Sequence, residues 1–159
     1  MDRVHRILND KIYIQYINQI KNMETDRRFC KHDFSHSLDV ARICHIINLE
    51  KNLGYKKDVL YAMAFLHDIG RVKEYSDSTS HHEAGAFMAR DILIRCGYDD
   101  NECDMICRAI LRHKKVCEDN CELCTLLYKA DKLSRNCFTC DVYDECYWSE
   151  DKKNKNIDF

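Results

Sequence analysis

The sequence predicts an all-α protein, and three observations support that prediction. The chain of 159 residues has no proline and only four glycines, so few residues interrupt a helix. Apolar residues recur at intervals of three and four, as at Val4, Ile7 and Leu8. No stretch of any length alternates apolar and polar residues as a half-buried strand does. We expect a single bundle of about six main helices.

The first three helices are predicted over residues 3–22, 34–54 and 57–70. The first has a helical apolar repeat, and the second ends at Gly54. The third starts near Asp58 and carries a long apolar run that stops at Gly70.

The other three helices are predicted over residues 80–97, 99–115 and 119–135. Ser80 with Glu83 has capping-box spacing, and Gly97 ends the same helix. Asp or Asn residues stand at the starts of the last two. We expect one helical domain over 1–135 and a cysteine-rich segment with a mobile, charged tail over 136–159.

Composition restricts the classes of function. The formal net charge of −2 gives no overall basic field, so nucleic acid is not an expected partner. No apolar run approaches the ~20 residues of a membrane-spanning helix. The first residues are charged and lack the apolar core of a signal peptide. These features predict a cytoplasmic protein with no membrane partner.

Four polar residues stand on apolar helix faces. His67 and Asp68 follow the apolar run of the third predicted helix, His36 starts the apolar face of the second, and Asp131 lies among inward-facing residues of the sixth. Each taken singly is more often a hydrogen-bonded core residue than a ligand. An isolated buried charge is costly, however, and one cation could satisfy all four.

The order His36, His67-Asp68 before Ile-Gly, and Asp131 before Lys-Leu resembles the H…HD…D pattern of the HD-domain superfamily of metal-dependent phosphohydrolases. The resemblance covers roughly residues 28–135. It implies that these four residues bind a divalent metal, with Fe, Mn, Zn and Co all suited to the ligands. It also implies two further ligands in two-metal members, His81 and His113, with Asp68 as the bridge. His81 is preferred to His82 because it precedes Gly85 at His-x-x-x-Gly spacing.

Phosphate oxygens need cations beside the metal. Arg71 and Lys132 are the first candidates among six cationic residues that lie near the ligands in sequence: Arg71, Lys73, Lys114, Lys115, Lys132 and Arg135. The alternative for each is a solvated charge at a helix end, which is the commoner fate of Lys and Arg.

A second metal site is predicted from the eleven cysteines. Cys137, Cys140 and Cys146 have the spacing of three ligands for zinc or for an iron–sulfur cluster. Cys30 is a candidate fourth ligand, because it precedes His36 by as many residues as Cys137 follows Asp131.

Other interpretations of the cysteines stay open. The Cys-x2-Cys pair at 121 and 124 could join Cys137 and Cys140 in a four-cysteine set, although it lies in a predicted helix. The plainer alternative is a set of reduced, partly buried thiols. The cysteines at 44, 96, 103, 107 and 117 have core-like spacing and are interpreted as packing residues.

The predicted function is hydrolysis of a nucleotide or a related phosphate ester by metal-activated water. Among relatives with the longer histidine set are symmetrical dinucleoside-tetraphosphate hydrolases and HD-GYP phosphodiesterases, but this chain has no proline and therefore no Gly-Tyr-Pro element. The first alternative is a non-catalytic sensor that binds metal and nucleotide. The second is a helical interaction domain with structural histidines.

Overall fold

A computed structural model describes residues 1–114 and 121–158. Over these residues the protein contains helices and no strand, which confirms the all-α fold class. A 3-10 turn, Cys137–Thr139, follows the last helix. The α-helices in chain order are α1 (Asp2–Leu8), α2 (Lys11–Met23), α3 (Phe34–Glu50), α4 (Lys57–Leu66), α5 (Arg71–Asp77), α6 (His81–Cys96), α7 (Asp100–Arg112) and α8 (Glu122–Leu133).

The described residues form eight α-helices, more than the predicted six, for two local reasons. The first predicted helix is divided at Asp10, whose carboxylate accepts the N–H groups of Ile12 and Tyr13 and starts α2. The third ends at Leu66 and not at Gly70, and the short helix α5 follows the turn. His67 and Asp68 therefore lie in a turn between two helices.

The predicted helix caps are partly present. Asp99 and Glu102 form a capping box at the start of α7. Ser80 precedes α6 but makes no cap, because its hydroxyl lies 2.5 Å from Nδ1 of His82. The predicted capping box at Ser80 is therefore wrong. The Asp and Asn predicted to cap the last helix, at 119 and 120, lie outside the described residues.

The core is built around α4, which is buried on most of its surface. Helix α3 packs against α4 and α8, while α6 packs against α7. Met63 and Leu66 of α4 are fully buried, as are Leu93 of α6, Ile106 of α7 and Leu127 of α8. The starts of α3 and α5 and the ends of α7 and α8 thus meet around the turn that carries His67.

The cysteines interpreted as packing residues lie in or against this core. Cys44, Cys96 and Cys103 are buried, and Cys107 is half-buried. The cysteine at 117 lies outside the described residues. Residues 1–114 and 121–158 include no helix that combines the length and the apolarity of a membrane span.

The charged tail is not free over its first part, contrary to the prediction of a mobile tail. The side-chain amide of Asn154 donates to the main-chain carbonyls of Lys132 and Arg135, at 2.7 and 2.8 Å. Lys153 is 9 % exposed and donates to the carbonyl of Tyr143 at 2.9 Å. Because Asn154 binds two carbonyls at the end of α8, the tail is tied to that helix end.

Candidate metal centre

The turn after α4 buries two polar side chains. His67 is completely buried and Asp68 is 5 % exposed. The apolar residues of α4 place the turn at the centre of the bundle, where neither group reaches bulk water. Their cost in free energy must therefore be offset by partners within the protein.

Gly70 allows α6 to approach this turn closely. A Cβ atom at Gly70 would lie 1.9 Å from the main-chain oxygen of His81 and 2.4 Å from the main-chain nitrogen of Gly85. Main-chain atoms cannot move aside as a flexible side chain can. The glycine is thus required for contact, since its φ of −66° suits any residue. This contact brings His81 to the same space as Asp68.

Two groups of potential ligand atoms share Asp68. His36, His67 and Asp68 form one group, in which Nε2 of His67 lies 3.0 Å and Nε2 of His36 lies 3.5 Å from Oδ2 of Asp68. Asp68, His81 and His113 form the other. In each group the atoms lie within 4.8 Å of one another.

Asp131 lies beside the first group. Its Oδ1 atom is 3.3 Å from Nε2 of His36 and 3.9 Å from Nε2 of His67. The structure therefore brings together all six residues predicted as ligands: His36, His67, Asp68, His81, His113 and Asp131. His82 belongs to neither group.

Main-chain carbonyls hold two of the imidazoles. Nδ1 of His67 donates to the carbonyl of Ala64, and Nδ1 of His113 donates to that of Ile110, both at 2.6 Å. A proton fixed on Nδ1 leaves Nε2 as the atom that accepts a ligand.

Side chains hold the other two imidazoles. Nδ1 of His36 lies 3.1 Å from the hydroxyl of Ser134, whose proton is donated to the carbonyl of Asp131. Nδ1 of His81 donates to the carboxylate of Glu74 at 2.7 Å. All four Nε2 atoms are thus oriented by a partner on the far side of the ring, as in metal sites.

Two buried polar atoms without hydrogen-bond partners indicate whether the site suits a metal ion. Among the described residues, Nε2 of His67 and Oδ2 of Asp68 are buried and lack a hydrogen-bond partner in spite of their short separation. A cation between them would satisfy both atoms. The mixture of imidazole nitrogens and carboxylate oxygens suits a divalent transition metal. The residues therefore fit a metal.

Charge keeps the carboxylates in their ligand form. Burial alone would raise the pKa of Asp68, but the charges of His67 and Arg71 outweigh burial and hold this pKa well below its usual range. Burial would also raise the pKa of Asp131, which a hydrogen bond to His36 and the charge of His67 lower well below its usual range. Both carboxylates are thus ionised near neutral pH.

The imidazoles differ in their protonation. Burial lowers the pKa of His113 to about 4, and the charge of His67 adds to the effect, so His113 is neutral at pH 7. Burial would also lower the pKa of His67, but Asp68 outweighs it and raises this pKa. A metal must therefore compete with a proton at His67, and its affinity should increase with pH.

Three cations contact the centre. Arg71 donates to Oδ1 of Asp68 at 2.9 Å, and Lys132 donates to Oδ2 of Asp131 at 2.7 Å. Arg135, which was not among the first two candidates from the sequence, has one guanidinium nitrogen 3.1 Å from Nε2 of His36. That buried guanidinium places positive charge where the imidazole and carboxylate converge.

A cavity of about 210 Å³ opens from the centre. Five of its lining side chains are cations, namely Arg27, Arg71, Lys114, Lys132 and Arg135. Of the other cations considered from the sequence, Lys73 pairs with Asp77 at 3.6 Å and does not line this cavity. The lysine at 115 lies outside the described residues.

Aromatic residues that the sequence analysis did not assign to the site also line the cavity. Phe29 precedes α3, while Tyr147 and Trp148 come from the cysteine-rich segment. Trp148 is the single tryptophan of the chain. Its position two residues after Cys146 was a weak indication that this segment returns to the centre.

A buried network supports His32, which also lines the cavity. Nδ1 of His32 and the hydroxyl of Tyr75 each lie 2.5 Å from Oε1 of Glu24. Burial lowers the pKa of His32 to about 4. The neighbouring residue, Asp33, is the N-cap of α3. Glu24 was not predicted, because only the folded chain brings it to His32.

The four cysteines of the predicted second site line a smaller cavity, of about 60 Å³, next to the first. These are Cys30, Cys137, Cys140 and Cys146. The alternative set is excluded, because Cys121 and Cys124 are joined to each other in a disulfide at the start of α8.

The family of HD domains matches residues 33–136, and this chain belongs to it. HD domains are a superfamily of metal-dependent phosphohydrolases, which bind divalent metals and act on phosphate substrates. All members of the two imidazole–carboxylate groups described above lie within the matched residues.

Relatives extend over different shares of the chain. An uncharacterized protein of Clostridium beijerinckii is 44 % identical over 157 residues, which are 99 % of each chain. Ribonuclease Y of Pelobacter propionicus is 28 % identical, and that of Geobacter metallireducens 27 %, each over 123 residues. Those residues are 77 % of this chain but 22 % of each ribonuclease Y. No solved structure matches the chain.

Proposed function

We propose that this protein hydrolyses a nucleotide or a related phosphate ester. The supporting observation is that two groups of buried ligand atoms share Asp68, and that His81, His113 and Asp131 line a cavity together with five cationic side chains. In this proposal Fe, Mn, Zn or Co occupies a two-metal centre. Its ligands are His36, His67, Asp68, His81, His113 and Asp131.

A bound pair of divalent metals would stabilise charge on phosphoryl oxygens and lower the pKa of water. The protein's own part is to orient the ligands. Glu74 and Ser134 each fix one imidazole through Nδ1. Arg71 keeps Asp68 ionised and aligned, because it donates to Oδ1 at 2.9 Å. Arg71 therefore acts as a positioning residue as well as a phosphate ligand.

The cavity is proposed to bind the phosphate through its cations. Although the whole chain has a net charge of −2, five cationic side chains converge at this cavity. Lys132 and Arg135 donate to the carboxylate of Asp131, while Arg71 donates to Glu74, which in turn holds His81. This concentration of charge favours a small anionic ester over an uncharged substrate.

The aromatic lining favours a substrate with a planar ring. Trp148 and Tyr147 line the cavity together with these cations. Aromatic side chains stack on nucleobases with little preference among them. A nucleotide combines a phosphate with such a base, which is the reason for choosing it among phosphate esters.

The test is hydrolysis by protein loaded separately with Mn²⁺, Fe²⁺, Zn²⁺ and Co²⁺. The panel comprises nucleoside monophosphates, dinucleoside polyphosphates and short RNA, the last because relatives are named ribonuclease Y. Asp68→Ala should reduce turnover by more than ~100-fold, which exceeds the effect of losing a supporting partner. Asp39→Ala, which alters a half-buried aspartate of α3 outside both ligand groups, is the matched control and should retain full activity.

The non-catalytic alternative predicts a different result. Nucleotide binding without hydrolysis under all four metals would replace the hydrolase proposal with a sensor. A protein that binds no stoichiometric metal would contradict both. Metal content measured on the same samples distinguishes these outcomes.

A further inference from the structure

Four thiols converge outside the HD-domain match. Cys30 lies just before the matched residues 33–136, and Cys137, Cys140 and Cys146 lie just after them. All four line one cavity of about 60 Å³. Cys137 is buried and the others are half-buried, so the thiols are largely sheltered from solvent.

A series of turns directs the C-terminal segment to this cavity. The N–H of Cys140 donates to the carbonyl of Cys137, that of Tyr143 to Cys140, and that of Cys146 to Tyr143, at 3.1 to 3.2 Å. Each turn returns the chain after three residues. Three thiols from a short segment can therefore face the same space, as in a knuckle that binds metal.

Cys30 is held against that segment by contacts across the whole chain. Arg28 donates to Glu145 at 2.8 Å, and the rings of Phe29 and Tyr147 meet edge to face at 5.8 Å. The two residues before Cys30 thus bind residues on either side of Cys146.

The spacing of the thiols decides between two kinds of occupant. Four thiolates around one zinc ion lie roughly 3.8 Å apart, because each is ~2.3 Å from the ion at a tetrahedral angle. Among the described residues, only the two imidazole–carboxylate groups bring three potential ligand atoms within 4.8 Å of one another. No three of the described cysteine sulfur atoms lie that close together. An iron–sulfur cluster places a separate iron behind each thiolate and spreads the ligands farther apart.

Cations stand beside the thiols. Lys153 lines this cavity, and its amino group donates to the carbonyl of Tyr143 at 2.9 Å and pairs with the exposed carboxylate of Glu150 at 2.8 Å. Arg135 contributes a second positive charge near Cys30. A cluster with four thiolate ligands is anionic, and buried positive charge would stabilise it.

We propose that Cys30, Cys137, Cys140 and Cys146 bind an iron–sulfur cluster. Each thiol loses its proton as it binds iron. The cluster ties the segment before α3 to the segment after α8. Because Cys30 and Cys146 line both cavities, the cluster also fixes one wall of the phosphate cavity. The cluster itself does not depend on the proposed hydrolase activity.

The experiment measures iron, zinc and acid-labile sulfide in protein purified without oxygen. Sulfide is decisive, since iron at the imidazole–carboxylate centre brings none. The full-length protein should contain iron and sulfide, with the visible absorption of sulfide-bridged iron. Cys30→Ser and Cys140→Ser should lose the sulfide. Cys107→Ser, a half-buried cysteine outside the site, is the control and should retain it.

Circular dichroism of each variant separates loss of the cluster from loss of the fold. Stoichiometric zinc without sulfide would overturn the proposal, as would absence of both metals from the thiols. Sulfide retained in a folded Cys30→Ser protein would equally overturn it as a four-cysteine site. Asp68→Ala should keep its sulfide, which makes the result independent of the metal centre.

Discussion

His81 and His82 are adjacent, but only one of them faces Asp68. Nε2 of His81 lies 4.0 Å from Oδ1 of Asp68, whereas the ring of His82 contacts the hydroxyl of Ser80. Successive residues of a helix project in different directions, so His81 can be a metal ligand while His82 is not. Substitution of His82 is therefore a matched control for substitution of His81.

His81→Ala should therefore reduce metal content and lower turnover by more than ~100-fold, because it removes a direct ligand. His82→Ala should change either quantity by less than ~3-fold. Metal analysis and initial rates on the two variants test this difference. Equal losses in both would contradict the assignment of His81 as a ligand.

Gly70 and Gly85 face each other across the contact between the His67 turn and α6. A Cβ atom at Gly70 would overlap main-chain atoms at 1.9 and 2.4 Å, whereas a Cβ atom at Gly85 would have its nearest neighbours at 3.4 Å. The two glycines thus lie at the same contact, but only Gly85 has room for a Cβ atom.

Gly70→Ala should lower the free energy of unfolding by at least ~3 kcal/mol, the upper range for overpacking. Gly85→Ala should change it by less than ~1 kcal/mol, because the helix gains from alanine. In thermal unfolding the first change corresponds to a fall in Tm of about 6–12 °C. An unchanged Tm for Gly70→Ala would show that α6 approaches the turn less closely.

At the scale of elements, α8 and the cysteine-rich segment form one side of the cation-lined cavity. Asp131, Lys132 and Arg135 come from α8 and its end, and Asn154 binds the carbonyls that end this helix. Trp148 lies 5.6 Å from the amino group of Lys132 and completes this side. The segment beyond the matched family domain therefore belongs to the site.

Trp148→Ala should raise KM for nucleotides by roughly 5- to 100-fold, in line with ~1–3 kcal/mol for stacking on a base. The kcat value should change little, since the indole belongs to neither group of potential ligand atoms. Phe138→Ala is the control, because Phe138 is exposed in the same segment and does not line the cavity. Ribose phosphate has no base, so its KM should be equal in the parent and the Trp148 variant. An unchanged KM for nucleotides would exclude stacking on Trp148.

At the scale of the whole molecule, one ion cluster joins α1, α4 and α7. Arg3 donates to Asp58 at 2.6 Å and also to Glu102, which is 6 % exposed. The hydrogen bond from Arg3 outweighs burial and lowers the pKa of Glu102 from 4.5 to about 2. Glu102 thus binds protons more weakly in the folded chain than in the unfolded chain.

Arg3→Gln should destabilise the fold by ~2 kcal/mol at neutral pH, as expected for a hydrogen bond to a charged group. The lowered pKa gives stability that is fully present above pH 4.5 and is lost as the pH falls toward 2. The difference between parent and variant should therefore shrink over that range.

Denaturant unfolding at several pH values measures this difference. Arg42→Gln is the control, because Arg42 lies 3.8 Å from Asp39 in an exposed pair that contributes little. A difference that stays constant down to pH 2 would show that Glu102 is not the group responsible.

The sequence predicted the helical class and the residues that converge at the centre. Helical periodicity is local, and polar residues such as His36 and Asp131 on apolar faces are costly enough to be recognised without a structure. The predicted helix boundaries were less accurate around Asp10 and Gly70, because a single cap or a close packing contact decides where a helix ends.

Only the tertiary structure decided which groups orient and surround the ligands. His36 and Ser134 are 98 residues apart, as Arg28 and Glu145 are 117 apart, and no local pattern links such pairs. The same holds for Glu24 beside His32 and for Trp148 at the cavity. Local spacing determines which residue types a helix presents, whereas long-range packing determines which of them meet.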